Sequence, residues 1–243
     1  MEIRHQKILA AIVKEYSETA TPVGSKEIVD RYGLSVSSAT IRSDMAQLEK
    51  ENYIMQPHKS AGRIPTDKGY RFFVNELMRR FELSEKERKM LREEIVKLKS
   101  VHEQLGRSIS NLLAQVSGQA AFALLANESS ATGLSKIIGE PELSDPKIVK
   151  DMTALFENID EYSSRLVKKS EVTAEAFIGG ESPIPVPKNL SLVVQNVKFR
   201  DGKKGVIGIV GPKRMSYAKN LSIMEYLAKL ISGAAVILLI IRS

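Results

Sequence analysis

Cysteine is absent from this 243-residue chain, which excludes disulfides, thiolate catalysis and cysteine-based zinc or iron–sulfur centres together. Histidine is scarce, and His5, His58 and His102 have no metal-ligand spacing, so neither metal nor cofactor is expected. The longest apolar run, Ala234 to Ile241, has eight residues, against the roughly 20 that a membrane-spanning helix needs. Met1-Glu-Ile-Arg opens on charge and helix pattern rather than on a secretion signal, so a cytoplasmic chain is expected. There is no nucleophile elbow and no histidine cluster, and the carboxylates are scattered along solvated helix faces. An enzyme therefore has little behind it.

What is present is a composition 43% hydrophobic, enough to build real cores in one large domain or two ordinary ones. A formal charge of +7 and a pI near 9.4 favour an anionic partner such as nucleic acid, although charge speaks to association and not to fold. The excess is spread along the chain: residues 1–80 carry 13 Lys/Arg against 10 Asp/Glu. Locally, however, Lys59, Arg63, Lys68 and Arg71 face only Asp67 between residues 54 and 71.

The order of elements at the start of the chain is informative. Ile8, Leu9, Ile12, Val13 and Tyr16 recur at helical spacing, predicting a first helix with one buried face. Thr21-Pro22-Val23-Gly24 interrupts it, Ser25 is placed to cap a short second helix, and Gly33 ends that helix. A third helix from Ser37 to Glu49 turns Ile41, Met45 and Leu48 inward. Its other face, with Ser37, Ser38, Thr40, Arg42, Ser43 and Gln47, is short and polar, as a helix that enters a major groove requires. An ordinary solvated face is the alternative, and Arg42 could instead pair with Asp44, Glu49 or a loop carbonyl. Next come a strand-like Tyr53 to Gln56, a loop with Pro57 and Gly62, and a return at Ile64. That order predicts a winged helix-turn-helix, with His58, Lys59 and Arg63 placed to hold a duplex backbone and Ser25 counted with them as a DNA-binding candidate.

Three motifs then carry a family resemblance: Pro22-Val23-Gly24-Ser25, Ser37-Ser38-Ala39-Thr40-Ile41-Arg42, and Gln56-Pro57-His58-Lys59-Ser60-Ala61-Gly62-Arg63-Ile64-Pro65-Thr66-Asp67-Lys68-Gly69-Tyr70-Arg71-Phe72. In this order they resemble the head of the HrcA family of bacterial heat-inducible transcription repressors. The resemblance implies a homodimer on double-stranded DNA at an inverted-repeat operator, the CIRCE element, upstream of chaperone operons. It also implies help from the GroEL chaperonin and a place at the nucleoid.

Beyond the loop, Thr66 can cap a helix that packs Tyr70, Phe73, Val74 and Leu77 on the head; base stacking on Tyr70 or Phe72 is the alternative. From Ser84 to Val116 the residues Leu91, Ile95, Leu98, His102, Leu105, Ile109, Leu112 and Val116 step by four and three, which predicts one long connecting helix with a heptad seam. The seam could pair with a second subunit or pack on the chain's own following domain. His102 reads as a register or edge residue.

The remaining chain predicts strands at Ala120 to Ala126, Ala176 to Ile178, Leu190 to Phe199 and Gly205 to Val210, with Asp201-Gly202 as a hairpin turn. Asn127 to Gly133 reads as a polar loop, Pro141 to Leu166 as a helical stretch, and Tyr217 to Ile231 as a closing helix. Gly139-Glu140-Pro141-Glu142-Leu143-Ser144-Asp145, Ile178-Gly179-Gly180-Glu181 and Gly208 to Ala218 resemble the GAF-like half of the same repressors. Gly211-Pro212-Lys213 lacks the Gly-Lys-Ser/Thr ending of a phosphate loop. In the family, further strands and an inserted dimerisation domain stand where this chain has only Asn127 to Ile138, so dimer contacts are expected from the heptad helix or a sheet edge. The expected fold is α+β: a winged helix-turn-helix over 1–80, a long connecting helix over 81–118 and a reduced GAF-like antiparallel sheet domain flanked by helices over 119–243. A regulator whose GAF-like part answers to a small molecule is the second reading.

Overall fold

The computed structural model describes residues 1–34, 36–79, 81–99, 105–125, 128–166, 173–199 and 202–233. Two compact units form, one of Met1–Arg79 with Arg214–Ser216, the other of Arg80–Lys213 with Tyr217–Ser243.

In the first unit α1 (Ile3–Thr19), α2 (Ser25–Tyr32) and α3 (Ser38–Lys50) precede a two-stranded antiparallel ribbon, β1 (Ile54–Met55) and β2 (Ile64–Pro65), and α4 (Asp67–Phe72). The predicted inward positions form its core: Ile8, Leu9, Ile12, Val13, Ile28, Ile41, Met45, Leu48 and Ile54 are buried, with Tyr70 beneath them. Ring stacking on bases is closed to Tyr70, which is 1% exposed. Ser37 caps α3 by accepting from Thr40 N at 3.1 Å, and Thr66 caps α4 by accepting from Gly69 N at 3.1 Å. At α2 the cap is Gly24, which has no side chain to offer, and Ser25, expected to be the cap, is the first helical residue. The chain leaves α4 through one wider, π-type turn, Phe73–Leu77.

Two buried acids tie α1 to its neighbours. Glu15, 3% exposed, accepts from Arg31 and from the Tyr32 hydroxyl at 3.4 Å; burial, then the Glu15 charge, push the Tyr32 phenol up to about 12. Asp44 accepts from Arg4 Nε at 2.7 Å and Nη2 at 3.0 Å, with His5 Nε2 3.3 Å away. The Arg4 hydrogen bonds hold the Asp44 carboxyl below its ordinary value of 3.8, against the opposing pull of burial. A carboxyl with a depressed native pKa stabilises the fold above its unfolded pKa, and that contribution is lost as pH falls through the native value. Thermal unfolding of the wild-type protein is therefore expected to lose more stability below about pH 4 than that of Asp44→Asn, which is the less stable at pH 7. Parallel pH profiles for the two proteins would contradict this assignment.

In the second unit α5 (Glu85–Lys99) and α6 (Leu105–Ser117) precede β3 (Ala120–Leu125), β4 (Glu128–Thr132) and α7 (Leu134–Ile137). Then come α8 (Pro146–Glu157), α9 (Ser163–Leu166), β5 (Glu175–Ile178), β6 (Leu190–Lys198), β7 (Lys204–Pro212) and α10 (Tyr217–Ser232). The strands make one five-stranded antiparallel sheet in the order β4-β3-β7-β6-β5. One face carries Phe122, Leu124, Leu190, Leu192, Val194, Val206 and Val210 against Ile137, Leu143, Met152 and Leu155. Phe122 fits because its cross-strand partner is Gly208, where a Cβ would lie 2.1 Å from the ring. The second face is covered by α6 and α10.

Two expectations need correction, and a third is refined. The stretch from Ser84 to Val116 is not one helix: α5 and α6 pack against each other, which two segments of a straight helix separated by residues 100–104 could not do. A side chain from another element marks the new start, since Glu128 of β4 accepts from Gly106 N at 2.7 Å and Arg107 N at 3.0 Å, an acid at a helix N-terminus. Of the seam residues, Leu91, Ile95, Ile109 and Leu112 are buried inside this unit, where both helices also pack on α10. Asn127 to Gly133, expected to be a loop, instead supplies the edge strand β4. The helical stretch expected to run on to Leu166 does so in pieces: α8 ends at Glu157, and one 3-10 turn, Ile159–Tyr162, leads into the short α9.

His102, Asn127, Asp201 and the apolar Ala234 to Ile241 lie outside the described residues. Among the described residues no helix is long and apolar enough to cross a membrane.

Candidate nucleic-acid interface

The polar face of α3 is solvent-exposed at Ser38, Arg42, Ser43 and Gln47. These residues are short apart from Arg42 and Gln47, and the exposed residues Ala39 and Ala46 between them keep the helix surface low. Ser37 and Thr40 are occupied with each other, their hydroxyls 3.0 Å apart, and Gln47 Nε2 donates to Glu51 Oε1 at 2.6 Å. Arg42 differs. Of the two acids that could have held it, Asp44 is bound by Arg4 and Glu49 by Arg63. Among the described residues the Arg42 guanidinium has neither ion pair nor hydrogen bond, so five donors stand free on the exposed face.

The loop from β1 to β2 is fixed by a small network centred on Glu49. Its Oε1 accepts from Gln56 N at 3.0 Å, and its Oε2 accepts from Arg63 Nε at 3.1 Å and Nη2 at 2.9 Å. Gln56 Nε2 then donates to Lys59 O at 3.0 Å and Ala61 O at 2.9 Å, folding the loop onto its own stem. Arg63 and Val23 exchange backbone hydrogen bonds of 2.9 Å in both directions, which ties the loop to the start of α2. The approach is so close that a Cβ on Gly62 would sit 2.4 Å from Val23 O, so only glycine fits there.

This arrangement reassigns the basic residues of the loop. Arg63, with a side chain 17% exposed, is a brace between loop and α3. Lys68 donates to Glu51 O at 2.9 Å and lies 4.2 Å over the Tyr53 ring, while Arg71 reaches Asn75 at 3.4 Å. Lys59 is exposed with an ammonium that makes no contact among the described residues. His58, also exposed, has Nδ1 3.5 Å from the Ser60 hydroxyl. Of the ten candidate residues, Ser25, Arg42, Lys59 and Arg63 meet around one open cleft of about 420 Å³, floored by Met45 and walled by Gly24 and Gly62. The other six lie on the exposed face of α3 or at the loop tip. Glu49 and Gln56 were missed as framework residues; a carboxylate beside a local excess of cations was the available signal.

A polar, low-relief helix with one free arginine, a lysine-bearing loop beside it and a cleft lined by three cations and no carboxylate can present donors to an extended polyanion. The family model for the HrcA protein C-terminal domain matches residues 64–221. The chain belongs to the HrcA family. A heat-inducible transcription repressor HrcA from Natranaerobius thermophilus is 27% identical over 326 residues, covering 93% of this chain and 94% of that one. About 100 positions of that alignment therefore have no counterpart here. The heat-inducible transcription repressor HrcA of Pelotomaculum thermopropionicum is 46% identical over 125 residues, which is 51% of this chain but only about a third, 36%, of the relative's length. A crystal structure of a hypothetical protein has the same overall fold, with a TM-score of 0.73 at 18% identity, covering 96% of this chain and 97% of that chain. These HrcA relatives are named as repressors rather than as enzymes.

Proposed function

We propose that this HrcA-family protein is a sequence-specific DNA-binding transcriptional repressor whose first unit is a winged helix-turn-helix. The observation that carries the reading is the free Arg42 on the low polar face of α3, beside a loop locked in place by Glu49 and ending in Lys59. In this reading α3 enters the major groove, where Arg42 bonds base edges with Ser38, Ser43 and Gln47 beside it. The β1–β2 loop is the wing, and Lys59 and His58 hold the backbone while Arg63 keeps the wing in register with α3. As the family resemblance implies, the site is an inverted repeat of CIRCE type upstream of chaperone operons, with repression aided by the GroEL chaperonin.

An inverted repeat demands a two-fold protein. Leu91, Ile95, Ile109 and Leu112 of the heptad seam are buried within their own unit, so we place the dimer contact on the outer strands β4 and β5, each paired on one side only among the described residues. The sheet unit is GAF-like in this proposal and acts in assembly and regulation. The alternative, a small-molecule response through that unit, would show as a compound that raises its unfolding temperature and changes operator affinity.

Lys59 gives a direct test. Lys59→Ala is expected to weaken binding to operator and random duplexes by similar factors, and to lower the slope of log K against log salt by about 1. A slope equal to wild type would remove Lys59 from the backbone contacts.

A further inference from the structure

The cleft between α2, α3 and the β1–β2 loop contains unsatisfied donors that the reading of α3 does not use. Because Gly24 caps α2 without a side chain, the first-turn N–H groups of Ser25, Lys26 and Glu27 have no intrahelical partner and, among the described residues, no capping acceptor. The first amide of this helix to find a carbonyl is Ile28 N, which donates to Gly24 O at 3.2 Å. Ser25 lines the cleft at 9% exposure, and its hydroxyl makes no hydrogen bond among the described residues. The residue as a whole is nine-tenths buried, and its unpartnered hydroxyl is left to the cleft. The facing wall supplies Lys59, and the Arg63 charge on the same rim is answered by Glu49.

We infer that this cleft is an anion slot that takes one phosphodiester of the DNA backbone, gripped by the Ser25 hydroxyl and the α2 first-turn amides on one side and by Lys59 on the other. This rests on the DNA-binding reading above and gives it a fixed point: one seated phosphate sets how far α3 lies along the groove, and so which base pair Arg42 meets. The chemistry follows from the positive end of the α2 dipole, three free amides and an ammonium, all of which favour a single tetrahedral anion.

The test is a scan of single neutral methylphosphonate linkages through an inverted-repeat duplex, with the full-length protein. Wild type should lose about tenfold in affinity at one linkage in each half-site. Ser25→Ala should bind the unmodified duplex about tenfold more weakly and lose nothing further at that linkage, while Ser25→Thr, which keeps a hydroxyl, restores the wild-type pattern. Losses that simply add at every linkage overturn the slot while leaving DNA binding intact; failure of the wild type to bind any duplex overturns both. Inorganic phosphate, titrated into thermal unfolding at constant ionic strength, separates the sources. Stabilisation by phosphate that Ser25→Ala abolishes, together with an additive linkage scan, identifies a free-ion site and overturns the phosphodiester assignment.

Discussion

Arg42→Ala is expected to lower affinity for an inverted-repeat operator by about 1–3 kcal/mol, roughly 5- to 150-fold, while random duplex of equal length loses much less. The asymmetry follows from what holds the side chain. A guanidinium engaged by Asp44 or Glu49 would be a structural brace, and its loss would appear as instability. Both acids are instead bound by other arginines, Arg4 and Arg63, and Arg42 stands exposed with its donors unspent among the described residues. Thermal stability of the variant should thus stay within about 0.5 kcal/mol of wild type, as for surface changes away from structural features. Competition titrations of operator and scrambled duplex against both proteins measure the ratio. Equal losses on the two duplexes would take base reading away from Arg42.

Gly62→Ala is expected to act in the opposite way, through the fold. The added Cβ would lie 2.4 Å from Val23 O and 2.5 Å from Val23 C, both backbone atoms that cannot rotate away. Relieving the overlap means opening the Val23–Arg63 bridge, which dislodges the loop from α2 and weakens the Glu49–Arg63 contact behind it. Overpacking of this kind costs about 1–3 kcal/mol, and the loop's lysine leaves its place at the same time. Both a lower unfolding temperature and a smaller salt slope on any duplex should result. A variant with wild-type stability and wild-type salt slope would show that the loop does not depend on this contact.

Much of the architecture could be read before the structure because local signals agreed with one another. Ile41, Met45 and Leu48 mark one face of α3, and Ser37 and Thr66 are cap residues that cap. Two strands, β6 and β7, announce themselves by apolar runs on either side of a glycine turn. The failures share a cause: a partner distant in sequence decides the outcome. Glu128-Ser-Ser-Ala-Thr has the composition of a loop and becomes β4 because β3 offers it a ladder. The heptad from Leu91 to Val116 is a sound pattern for burial, yet it cannot say that α5 and α6 pack on each other and on α10. The candidate site was legible to the level of which residues gather, through Arg42 and Lys59, but not which are free. Arg63 looked equivalent to Lys59 until Glu49 was seen beside it. A count of charges along a chain cannot subtract the acids that the fold brings up from elsewhere.

The central claim, that α3 and its neighbouring loop read an inverted repeat, is tested most directly by one comparison. Binding of the full-length protein to a CIRCE-type inverted-repeat duplex is measured against a scrambled duplex of the same length and composition, at a stated salt near 150 mM. The account predicts a preference for the inverted repeat of at least about a thousandfold, with two protomers bound per duplex. Equal affinity for the two duplexes, with a salt slope that is the same for both, would contradict it.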